Sequence, residues 1–188
     1  MVSEHLQDGA ERYETAGGVT VTRRREKVAY EGAIDPYFDR LDGRRGAILF
    51  SNYEYPGRYT RQDVAFVDPP LAIASRGRAL WIEALNARGR VLAGFLAKAL
   101  EDCADVASVT SDGSRIDVTI AQPERAVTEE ERSRIPTVFS VLRTIVSLFR
   151  SSEDAAIGLY GAFGYDLAFQ FDPVAEVQAR DPARRDLV

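Results

Sequence analysis

Ala47-Ile48-Leu49-Phe50-Ser51-Asn52-Tyr53-Glu54-Tyr55-Pro56-Gly57-Arg58-Tyr59-Thr60 is the stretch on which the reading of this chain turns. Ala47 to Phe50 predicts a buried apolar strand that runs into two small polar residues. An aromatic turn closed by Pro56-Gly57 follows, and a second strand begins at Arg58. Ser51 and Asn52 place a hydroxyl and an amide at the strand's mouth, where each can donate and accept hydrogen bonds. Tyr53, Tyr55 and Tyr59 add flat apolar faces beside them. That combination suits a small zwitterion with an aromatic side chain. The plainer alternative is a hairpin whose aromatics fill core and whose Ser and Asn satisfy turn backbone.

Outward from this stretch, the composition sets bounds. The chain has 188 residues, enough for one domain or one and a fraction. A hydrophobic share of 45% supports a core, and 28% charged residues is ordinary. The net charge of −5 argues against a nucleic-acid surface, which needs clustered Lys and Arg. Arg23-Arg24-Arg25 beside Glu26 reads as a solvated strand edge. Cys103 is the sole cysteine, so no intrachain disulfide forms and a cysteine-based metal site is excluded. No run approaches the roughly 18 apolar residues of a membrane span. Residues 1–16 are polar and acidic, without the apolar core of a secretory signal, and read as a flexible leader. A soluble, cytoplasmic protein is the expectation.

Residues 17–188 read as one incomplete domain. Val19 to Arg23 alternates with period two, the pattern of a half-buried strand. Asp35-Pro36 opens a short helix with Asp35 as N-cap, ending near Leu41. Strands are expected at Arg58 to Val67, Leu71 to Ser75 and Arg78 to Leu85. Arg88 to Leu100 is helical, with Val91, Leu92, Phe95, Leu96 and Ala99 on one face. Val106 to Thr110 and Arg115 to Ala121 flank Asp112-Gly113, a hairpin signal. Thr128-Glu129-Glu130-Glu131 resembles a capped helix start, and Pro136 opens the most apolar helix, Thr137 to Arg150. Its Val141, Leu142, Ile145 and Phe149 are expected to be buried against the sheet that holds Leu49 and Phe66. Ile157 to Tyr165 is expected to return as a strand whose glycines permit a close approach. Strands outnumber crossovers, so the fold class is α+β with mainly antiparallel sheets and packed helices. Leu187-Val188 resembles the start of an unfinished strand, so truncation at the C-terminus is expected.

Catalytic motifs are scarce. His5 is the single histidine and sits in the leader, where surface placement is expected. No HExxH, paired-carboxylate metal motif, nucleophile elbow or phosphate loop is present. The catalytic set is therefore expected to be empty in this chain, as is the metal set.

Gly57-Arg58-Tyr59-Thr60, the apolar strand ending in Ser51, and Val67-Asp68-Pro69-Pro70-Leu71-Ala72-Ile73 resemble the N-terminal region of the anthranilate synthase large component (component I). The likeness is strongest to the bacterial single-chain form fused to a glutamine amidotransferase. Gly158-Leu159-Tyr160-Gly161-Ala162-Phe163-Gly164-Tyr165-Asp166 resembles that family's Gly-Tyr-Asp block. The resemblance covers the chain from about Tyr30 onward and implies the chorismate-utilising enzyme fold, with the chorismate-binding domain absent. It implies that the complete enzyme uses Mg2+ to convert chorismate and glutamine (or ammonia) to anthranilate. This fragment would bind no cofactor and be inactive alone. It also implies that L-tryptophan binds here as feedback inhibitor, through Phe50, Ser51, Asn52, Glu54 and Arg61. Ser51 matches the serine of the family's Leu-Leu-Glu-Ser motif, whereas Phe50 stands where the glutamate belongs. Arg58 or Arg61 would face the ligand carboxylate, unless both lie on the surface. Chorismate and glutamine would engage only the missing domains, and exposed faces left without them favour self-association into a homo-oligomer. Aminodeoxychorismate synthase or a phenazine-type enzyme shares the Gly-Tyr-Asp block and stays open. So does a non-catalytic amino-acid-binding module.

Overall fold

The computed structural model describes residues 4–5, 10–51, 55–58, 63–122 and 135–171. Its centre is a four-stranded antiparallel sheet of β6 (Leu71–Arg76), β7 (Ala79–Ala84), β8 (Val106–Ser111) and β9 (Arg115–Ile120). The strand order is β6-β7-β9-β8. Period-two alternation decides which face is inward: Leu80 and Ile82 of β7, with Ile116, Val118 and Ile120 of β9, are buried. The other face stays polar, and the Arg115 guanidinium lies 5.6 Å over the Trp81 ring there.

Two helices cover the apolar face. Helix α2 (Ala87–Glu101) starts at Asn86, whose side chain accepts from the Gly89 N–H at 3.1 Å. It buries Ala93, Leu96, Ala97 and Leu100. The inward stripe is thus rotated from the expected face, with Val91 74% exposed. Small residues let the helix approach: a Cβ on Gly89 would lie 2.0 Å from the Pro70 carbonyl oxygen. Helix α3 (Val138–Phe149) buries Val138, Val141 and Ile145, with Leu142 and Phe149 packed partly buried at the margin. These residues share a core with the four-stranded sheet, which corrects the expectation that they meet Leu49 and Phe66. Those two lie in a separate two-stranded sheet of β4 (Gly46–Leu49) and β5 (Val64–Val67).

The third sheet, β1-β2-β3, comprises β1 (Glu4–His5), β2 (Ala10–Glu14) and β3 (Thr20–Arg24). Residues 10–16 depart from the expected flexible leader, because Tyr13 and Thr15 are buried. One aromatic and one threonine were too few apolar positions for periodicity to register. Arg23 also departs from a solvated edge. It pairs with Glu11 at 2.9 Å and Asp154 at 2.6 Å, and lies 5.0 Å over the Tyr13 ring.

Ile157 to Tyr165 is not a strand. It is irregular up to a 3₁₀ turn at Tyr165–Gln170. A Cβ on Gly158 or Gly161 would meet no atom within 4 Å, so neither glycine marks a close approach among the described residues. Leu167 then enters the core, and the Gln170 side chain accepts from Val138 N and donates to Gly77 O. That amide satisfies one of the orphan N–H groups at the start of α3. The α+β class with antiparallel sheets is as the sequence implied.

Candidate functional site at the mouth of β4

Strands β4 and β5 pair from Gly46↔Val67 to Leu49↔Val64. Helix α1 (Asp35–Leu41) packs beside them. It begins one residue earlier than expected, with Ile34 as N-cap and Asp35 inside the first turn. A two-stranded sheet under one short helix cannot enclose its apolar residues. Ala47 and Ile48 are half-buried, Leu49 is 43% exposed and Phe50 is 50% exposed. The strand expected to be buried is therefore open at its C-terminal end. Phe50 stacks on Phe38 of α1, with centroids 6.0 Å apart at 22°.

Immediately past the last paired residues, the Ser51 N–H donates to Asp63 Oδ1 at 3.3 Å. The Tyr30 hydroxyl donates to Asp63 Oδ2 at 2.6 Å. One carboxylate thus draws the exit of β4, the approach to β5 and the segment before α1 to a single point. Asp63 was missed by the sequence reading, which took acceptors only from residues 50–54. Its signal was its place one residue before an apolar strand, where the observed register continues it opposite Phe50, beside Ser51.

The expected turn forms at Tyr55–Arg58. Arg58 N–H donates to Tyr55 O at 2.9 Å, and Gly57 takes φ +77°, which glycine tolerates at no steric cost. The Arg58 guanidinium lies 5.7 Å over the Tyr55 ring on the exposed surface. Asn52, Glu54 and Arg61 fall outside the described residues, as do Thr128 to Glu131. Phe50 and Ser51 are therefore the expected site residues whose positions the structure gives. Among the described residues, no group of three or more His, Cys, Asp or Glu side chains is placed to hold a metal ion. No helix among them is long and apolar enough to cross a membrane.

The glycine-rich block of the family resemblance reaches β5. Tyr160, from the glycine-rich block, lies against Phe66 of β5 with centroids 5.7 Å apart. Beyond it Phe163 packs on Phe139 at 5.1 Å, and Phe139 on Phe171 at 5.8 Å. Residues 160–163 therefore run between the β4–β5 pair and α3, with one aromatic contact at each end.

Fold and strand mouth together define an α+β unit of antiparallel sheets whose smallest sheet ends in exposed Leu49 and Phe50. The chain is a relative of anthranilate synthase and its component 1. It is 48% identical over 177 residues, 94% of its length, to the anthranilate synthase of Azospirillum brasilense. It is 29% identical over 161 residues, 84% of its length, to anthranilate synthase component 1 of Serratia marcescens. The pyocyanine-specific anthranilate synthase component 1 of Pseudomonas aeruginosa is 30% identical over 137 residues, 73% of the chain. The matched part makes up 24%, 30% and 25% of these relatives, so the chain spans about a quarter of their length. No family model matches the chain, and no solved structure matches it.

Proposed function

We propose that this chain is the N-terminal, regulatory region of an anthranilate synthase large component in tryptophan biosynthesis. The complete cytoplasmic enzyme converts chorismate and glutamine, or ammonia, to anthranilate, pyruvate and glutamate. Mg2+ and the reacting groups belong to the chorismate-binding part, and ammonia comes from a glutamine amidotransferase on the same chain. The identity of 48% across 94% of the chain carries this reading. The single-chain arrangement draws support from relative lengths. The 177 matched residues are only 24% of the Azospirillum protein, whereas 161 are 30% of the Serratia one, leaving the former room for a further domain.

L-Tryptophan binds at the mouth of β4 as the feedback inhibitor. Ser51 and Asn52 hydrogen-bond its polar end, Phe50 and the neighbouring aromatics line its ring, and Glu54 and Arg61 face its charged groups. Binding there inhibits if the ligand prefers the inactive arrangement of the whole enzyme, a coupling of about 1–3 kcal/mol. The openness of β4 supports this reading, because an aromatic ligand gains most where apolar surface is still exposed. The test is fluorescence of anthranilate. The 188-residue chain mixed with chorismate, Mg2+ and ammonia should match a buffer control. The full-length protein should turn over and be inhibited by tryptophan. Turnover by the short chain would place catalysis within it.

A further inference from the structure

We infer that residues 157–165 are the face on which the remainder of the longer polypeptide seats. That remainder is the chorismate-binding part of the proposed function, on which this inference rests. The matched part is 24%, 30% and 25% of the three relatives, so most of each relative's length lies outside it. Ile157-Gly158-Leu159-Tyr160-Gly161-Ala162-Phe163-Gly164-Tyr165 is composed as a strand, with Ile157, Leu159, Phe163 and Tyr165 at alternate positions. The run is nevertheless irregular in the structure. A strand forms only against a neighbour that takes up its main-chain N–H and C=O groups. The alternate side chains are open too. Phe163 is 65% exposed even with Phe139 beside it, and Tyr165 is 86% exposed. Large apolar side chains gathered in this way mark an interaction site. Tyr160, at an even position, lies against Phe66 of β5 and attaches the run to the fold on that side.

Gly158 and Gly161 carry a second, independent observation. Neither takes the positive φ that accounts for Gly57 and Gly113, and a Cβ on either would meet no atom within 4 Å. Nothing among the described residues requires glycine at these two positions. Glycine within a strand-patterned run leaves room for another backbone to approach closely. The occupant is therefore an apolar strand that pairs with this run, passes over its glycines and covers Phe163 and Tyr165.

The experiment is amide hydrogen exchange, read by mass spectrometry, on the full-length protein and on the 188-residue chain. Amides of residues 157–165 should exchange at least about tenfold more slowly in the full-length protein. Equally fast exchange in both overturns the inference, because nothing then seats on the run. Equally slow exchange in both overturns it as well, since the short chain's own residues would cover the face. Protection of the short chain that rises with its concentration to the full-length level assigns the face to a second copy and also overturns it. Gly161→Val tests the glycines. It should leave the melting temperature of the short chain unchanged and abolish the protection of residues 157–165 in the full-length protein. A lowered melting temperature of the short chain, or full protection in the full-length variant, overturns the inference. Anthranilate formation by the unaltered full-length protein separates the two levels. If none forms while the protection holds, the enzyme reading fails and the docking face stands. If anthranilate forms without the protection, only the docking face fails.

Discussion

The Tyr13 hydroxyl donates a 2.7 Å hydrogen bond to Asp154, 141 residues away in the chain. It fastens β2 to the segment after α3, together with Arg23, which pairs with Asp154 and lies over the Tyr13 ring. Two main-chain bonds, Ala16 N–H to Arg150 O and Gly17 N–H to Leu148 O, run alongside at 2.8 Å each. The first strands are therefore part of the folded unit.

Removing the Tyr13 hydroxyl leaves Asp154 without one donor. Tyr13→Phe should lower stability at neutral pH by about 1–2 kcal/mol in a denaturant titration. Burial and the bond to Asp154 push the Tyr13 hydroxyl up to about 12 from 10.0. A raised value in the folded state gives stability that is fully present below about pH 10. That stability is lost as pH rises through about 12. The gap between parent and Tyr13→Phe should accordingly narrow between those limits.

The acid side has the opposite sign. Burial opposes ionisation of Asp154, yet hydrogen bonds from Tyr13 and Arg23 outweigh it and hold its carboxyl below the ordinary 3.8. A lowered value gives stability present above the ordinary range and lost as pH falls through the folded value. Asp154→Asn should cost stability at pH 7, and its deficit against the parent should shrink below about pH 4. A deficit that is constant from neutral to acid pH would show that the charge of Asp154 is not what matters.

Glycine to alanine in a helix interior ordinarily stabilises by about 1 kcal/mol. At Gly89 the new Cβ would lie 2.0 Å from Pro70 O and 3.1 Å from Ala84 Cα, both main-chain atoms. Gly89→Ala should therefore destabilise, by about 1–3 kcal/mol. A Cβ added at Gly94 would meet no atom within 4 Å, and Gly94→Ala should be neutral or stabilising. Thermal melts of the two variants side by side check the contrast.

Ile145 is fully buried, whereas Leu142 packs partly buried at the edge of the same core. Ile145→Ala should cost about 3–4 kcal/mol and Leu142→Ala clearly less, since the cavity at the edge can fill with water or relax. Equal losses would place both side chains at the same depth.

Where one residue type repeats at a fixed period, the sequence was readable. Strands of the central sheet were read at Arg78 to Leu85, Val106 to Thr110 and Arg115 to Ala121, and Asp112-Gly113 announced the hairpin between the last two. The apolar stripe of α3 was equally plain. The inward face of α2 was misread because close packing uses Gly89, Ala93 and Ala97, which carry little hydrophobic signal, while Val91 faces solvent. Strand β3 was read from the alternation of Val19 to Arg23, whereas β2 was missed because Tyr13 is held to Asp154 and Arg23 by contacts that no local pattern reveals. At the candidate site, Ser51 was legible from its place at the end of an apolar run. Asp63 was not, because its role comes from strand pairing and from Tyr30, 33 residues before it.

The most direct test of the regulatory reading is the tryptophan dependence of anthranilate formation by the full-length protein and its Ser51→Phe variant. Each rate is expressed against the same protein's uninhibited rate. A phenyl ring at Ser51 would fill the opening at the end of β4. The account predicts that half-inhibition of the variant needs at least a hundredfold more tryptophan than half-inhibition of the parent, a coupling loss of about 2.7 kcal/mol. Equal sensitivity of the two proteins would contradict it and leave the Leu49–Ser51 segment as a strand end with no regulatory part.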